Sequence, residues 1–122
     1  MPLPLQTLAD PLSIAGTAGL FALFLSVTAH IAARNVLGDV RVRNAFAVGP
    51  LPAAIAVIGT VFDVPSFLTV VTALATDFAL VRFVYGRDLR LSVYVTFIHV
   101  VVSIILGTVL FALLFLIASA PG

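Results

Sequence analysis

The chain contains no cysteine, which excludes a disulfide framework, a thiolate metal site and a cysteine nucleophile. Charge is almost as scarce. Only 9% of the 122 residues are charged and 62% are apolar, against about 25% and 45–50% in an ordinary soluble domain. Six Arg and five Asp cannot cover the core of a soluble domain this small, so the apolar excess must face lipid. The formal net charge of +1 excludes the basic footprint of a nucleic-acid-binding protein. Signatures of catalysis are missing as well: no phosphate-cradling glycine loop, no pair of His at metal-binding helical spacing and no nucleophile elbow. No enzyme activity, cofactor or metal is expected.

What the chain does have is four long apolar runs, giving expected helices over about 11–35, 44–62, 64–85 and 90–119. Each run approaches or exceeds the roughly 20 residues that carry an α-helix across about 30 Å of hydrocarbon. Barrel strands would be short and alternating, whereas these runs are apolar on every face. The expected fold is an all-α integral membrane protein: a bundle of four transmembrane helices in two antiparallel hairpins, forming one membrane domain over the chain. The last run, Leu91 to Ala120, would extend about 45 Å as a helix and must tilt or project into the headgroups. The first is longer than a signal-peptide core, and no basic residue precedes it, so it is read as a permanent helix.

The basic residues set the expected orientation. Arg34, Arg41 and Arg43 surround the first link and Arg82, Arg87 and Arg90 the third, whereas the tails and the second link carry only Asp10 and Asp63. Short Arg-bearing links stay cytoplasmic, which puts both termini outside a multi-pass protein of the cell membrane. Tyr85 and Tyr94 flank the third link at headgroup level. Asp10–Pro11 and Asp63 with Pro65 read as helix starts, and Gly38 and Gly86, each four residues after an Arg, as left-handed helix stops. The two links share Arg, Gly, Asp and Arg at similar spacings, which a duplicated hairpin or simple convergence on helix-stop chemistry would both produce.

Gly49, Pro50 and Pro52 interrupt the second run, where the two prolines withdraw amide donors from the carbonyls of Phe46 and Val48. A kink is expected there, either as a tolerated bend or as a broken helix lining a cavity. Small residues four apart, Ala15 with Gly19, Ala75 with Ala79 and Ser103 with Gly107, mark expected close helix approaches.

Four ionisable side chains fall within the runs: His30, Asp77, Arg82 and His99. Arg82 can snorkel to the surface and His30 sits one turn before Arg34. Asp77 and His99 lie at equal distance from the third link on consecutive helices, about 14 Å deep. At that depth an imidazole and a carboxyl form a candidate polar pair, either as a structural hydrogen bond or as a site that handles a proton or cation.

Gly38, Asp39, Val40, Arg41, Val42 and Arg43 before a proline-bent helix, with Tyr85, Gly86, Arg87 and His99 following, resemble small four-helix membrane proteins of unknown function from halophilic archaea. Arg without Lys and Asp without Glu suit such a source. The resemblance implies location but no substrate, cofactor or catalytic residue. On these grounds the expected role is structural or accessory, with the lipid bilayer and a homo-oligomer or membrane complex as partners; the alternative is a small transporter or proton or ion channel built on Asp77 and His99.

Overall fold

A computed structural model describes residues 10–120; the leading segment 1–9, whose lack of basic residues argued against a signal peptide, lies outside them. Every regular element among the described residues is helical: α1 (Pro11–Leu37), α2 (Val42–Val48), α3 (Pro50–Val61), α4 (Ser66–Tyr85) and α5 (Leu89–Ser119). With α2 and α3 taken together as Val42–Val61, four helices are long and apolar enough to cross a membrane. α1 packs against α2 and α3 on one side and α5 on the other, and α4 lies between α3 and α5.

The helix ends follow local chemistry. Asp10 accepts a hydrogen bond from the Leu12 amide at 3.1 Å with Pro11 at the first helical position, and Asp88 caps α5 through the Leu91 amide at 2.9 Å. The expected cap by Asp63 does not form. Pro65 precedes α4 without a side-chain cap, and Asp63 instead adopts φ 58° at the end of α3. There the Val64 amide reaches back to the Gly59 carbonyl at 2.8 Å, so Asp63 occupies the left-handed stop more often held by glycine.

The two Arg-bearing links are built differently despite their similar spacing. Gly86 is left-handed, φ 64° and ψ 28°, whereas Gly38 has φ 88° and ψ −126°. Asp39 lies 3.7 Å from Arg34, while Asp88 caps a helix.

The interior holds small and polar side chains. Ala29, Ala33, Ala45, Val48, Val81 and Val95 form a buried cluster at the end of the bundle that carries these two links. Large apolar side chains point outward: Phe67, Phe83 and Phe111 are each more than three-quarters exposed. A protein that uses lipid as solvent needs no large apolar core, and small interior residues let its backbones approach.

The closest approaches differ from the expected ones. Ala15, Gly19, Ala75 and Ala79 are exposed, and nothing lies within 4 Å of where a Gly19 Cβ would stand. Of the three expected pairs, Ser103 and Gly107 alone face a neighbour, with Phe24 Cζ 3.6 Å from the position of a Gly107 Cβ. Gly59 meets the Thr69 side chain, and the tight approach to main chain is at Gly49, where an added Cβ would fall 2.7 Å from Ser26 Cα on α1. Ala45, Gly49 and Ala53, all buried, form one four-residue-spaced stripe against α1. Glycine at 49 is therefore set by packing, although the backbone there is ordinary right-handed helix, φ −67° and ψ −42°. The run does divide at Gly49 into α2 and α3, where Pro50 and Pro52 lack amide donors.

Candidate functional site

Asp77 lies on α4 one turn before Val81 of the buried cluster and one turn after Ala73, and His99 lies on α5 between Val95 and Ser103. Their side chains are 5% and 3% exposed, and His99 Nδ1 is 2.7 Å from Asp77 Oδ2. The other imidazole nitrogen turns to α1. His99 Nε2 lies 3.1 Å from the Leu25 carbonyl oxygen and 3.0 Å from Thr28 Oγ1. The Thr28 hydroxyl donates to that same Leu25 carbonyl at 3.1 Å and accepts from the Ser103 hydroxyl at 2.9 Å. One imidazole thus joins three helices.

Counting donors identifies the arrangement in which every contact of this cluster is a hydrogen bond. A carbonyl oxygen only accepts, so its contact with Nε2 is a hydrogen bond when that nitrogen carries a hydrogen and Thr28 donates to the same carbonyl; an Nε2 without hydrogen would instead accept from the Thr28 hydroxyl. In the arrangement with a hydrogen on Nε2, the 2.7 Å contact on the opposite side holds a second hydrogen, carried either by Nδ1 as an imidazolium facing a carboxylate or by the carboxyl facing a neutral imidazole. Both descriptions contain the same number of protons, and in both the pair has no net charge. A neutral pair with its polar atoms bonded is the form least costly to hold within hydrocarbon.

One atom is left over. Asp77 Oδ1 is buried without a hydrogen-bond partner. Asp77, His99 and Ser103 line the inner end of a cavity of about 240 Å³, whose apolar walls come from all four spans and include Phe21, Pro52 and Ala73. The cavity lies in the half of the bundle nearer the second link. On the opposite side of the pair, Val81 and Val95, each 1% exposed, fill the space between helices. The next buried hydroxyls there, Tyr85 Oη and Ser92 Oγ, have no partners.

The remaining sequence candidates stand apart from this cluster. Pro52 is buried in the cavity wall, but Pro50 is exposed. Arg34, Arg41, Arg43, Arg82, Arg87 and Arg90 are all exposed, with Arg90 placed 5.9 Å from the Tyr94 ring centroid. His30 is half-buried, with no partner for Nδ1. No three His, Cys, Asp or Glu side chains converge as a metal site among the described residues.

Thr28 and the Leu25 carbonyl are the site members that sequence reasoning missed. The depth argument that selected Asp77 and His99 also reaches Thr28, ten residues before Gly38 at the first link. A threonine in a helix ordinarily bonds its own backbone, so depth alone does not single it out as it does an ionisable group.

A family model described as a family of unknown function, DUF7473, matches residues 8–121, and the chain belongs to that family. No curated protein and no solved structure matches it.

Proposed function

We propose that this protein is a multi-pass component of the cell membrane with a structural or accessory part, working as a copy in a homo-oligomer or as a subunit of a larger membrane complex. Its helices form two antiparallel hairpins with both termini outside and the Arg-bearing links in the cytoplasm, where six guanidinium groups avoid translocation. Arg and Asp in place of Lys and Glu support a halophilic archaeal source. No catalysis is assigned.

The observation that carries this reading is the length and bareness of α5. Its 31 residues extend about 46 Å, roughly 15 Å beyond the hydrocarbon thickness. Residues 108–119 are exposed all round and include Phe111, Leu114, Phe115 and Ile117. Tilt alone absorbs only part of that excess, and a neighbouring protein helix would cover the rest. A photo-crosslinking residue at Phe111 or Phe115 in native membranes is expected to give one discrete protein adduct, while the same residue at Phe83 gives lipid adducts. Lipid adducts alone at all three positions would contradict the accessory reading.

A second reading, proton handling at Asp77 and His99, is supported by the proton count of the pair and by the cavity that ends on it. Val81 and Val95, both buried between the helices on that side of the pair, argue against a standing channel. Access from one side at a time would suit a carrier better.

A further inference from the structure

We propose that the cavity is a binding site for a small lipophilic ammonium ion, taken up in exchange for the proton held by Asp77 and His99. The proposal rests on the proton-handling reading and adds its counter-substrate.

Size restricts the ligand first. An apolar cavity of ~150 Å³ accepts benzene, and pockets for drug-sized ligands begin at roughly 300 Å³. A space of about 240 Å³ therefore fits one short alkyl chain or one ring.

Polarity restricts it further. The two hydroxyls in the wall are committed, Ser103 to Thr28 at 2.9 Å and Thr69 to the Pro65 carbonyl at 3.3 Å. Asp77 Oδ1 is the unpartnered side-chain atom among the lining residues, covered by its neighbours at the cavity wall, and a carboxylate oxygen accepts. An anion or a lone acceptor would find no donor. A ligand with an apolar body and a single positive head satisfies both the walls, which include Phe21 one turn outward of Leu25, and the carboxylate.

Charge then sets the exchange. The pair is neutral while it holds its proton, so an added cation would leave one uncompensated positive charge in a medium that penalises it heavily. Releasing that proton restores neutrality: one ammonium enters, one proton leaves, and Asp77 remains a carboxylate beside the ligand and a neutral His99. Thr28 accommodates the loss, because its hydroxyl can turn from the Leu25 carbonyl to the Nε2 that has given up its hydrogen. Val81 and Val95 block the other side, so the proton departs through the cavity mouth.

The test is a titration of the purified full chain, in weakly buffered detergent at pH 7, with hexyltrimethylammonium chloride, a cation that has no proton of its own to lose. Calorimetry reads binding and a pH indicator reads release. Saturable binding with about one proton released per cation is expected. Asp77→Asn is expected to abolish both, and Ala56→Leu, which narrows the cavity from α3, to weaken binding about tenfold or more while leaving the ¹⁵N signals of His99 unchanged. No binding, binding without proton release, or equal binding by hexanol would overturn the proposal. Nitrogen NMR of His99 separates this failure from failure of the underlying reading: a protonated Nε2 without cation binding removes the exchange alone, whereas an unprotonated Nε2 removes both.

Discussion

Gly49 on the second span and Ser26 on the first meet backbone to backbone, at a separation that leaves no room for a side chain at position 49. Gly49→Ala is expected to destabilise the protein by about 1–3 kcal/mol, because the new methyl group meets main chain that cannot rotate away. Gly19→Ala, at a position where nothing lies nearby, serves as the control and leaves stability almost unchanged or slightly raised. Thermal unfolding in detergent compares the two, and equal effects would count against the close approach.

Thr28 accepts from Ser103 and stands beside the imidazole, so its hydroxyl should matter more than its volume. Thr28→Val keeps the shape and removes the hydroxyl, leaving Ser103 without its acceptor. A loss on the order of 1 kcal/mol is expected, with Thr28→Ser recovering most of it. Indistinguishable unfolding of the Val and Ser variants would contradict the network.

The arginine distribution predicts which surfaces reagents reach. Single cysteines at Asp63 and Ala120 should react with a membrane-impermeant maleimide from outside intact cells, and one at Val42 only after lysis. Labelling of Val42 alone in intact cells would reverse the orientation.

Much of this architecture was legible because membrane helices advertise themselves by length and apolar composition, and the helix stops at Gly38 and Gly86 fall where Arg and Gly punctuate the chain. Depth was legible too: counting residues from one short link puts Asp77 and His99 on one level. Rotation was not. Which face of a uniformly apolar helix turns inward is decided by packing, and for that reason two of the three small-residue pairs face outward while Ser103 and Gly107 meet a neighbour. Ala45, Gly49 and Ala53 carry the same spacing as those pairs, but beside two prolines Gly49 reads as part of a bend. Asp63 misled in a similar way, since an Asp two residues before a proline suits a helix start as well as a left-handed stop.

Asymmetry between the two Arg-bearing links also lay beyond spacing. A single inserted residue moves Asp from the partner of Arg34 to the cap of α5, which changes its role without altering composition.

Asp77 and His99 should also be energetically coupled. In a double-mutant cycle, Asp77→Asn and His99→Gln are expected to lose stability non-additively, with a coupling on the order of 1 kcal/mol. Additive losses would mean that the two side chains do not share a hydrogen bond in the folded protein.

The most direct measurement is solid-state NMR of the protein in lipid bilayers, with ¹⁵N-labelled histidine and ¹³C-labelled aspartate, reading the His99 Nδ1 to Asp77 Cγ distance and the protonation of Nε2 together. The account predicts dipolar contact at hydrogen-bonding range and a hydrogen on Nε2 at neutral pH. No dipolar contact between the two residues, or an Nε2 without its hydrogen, would contradict it.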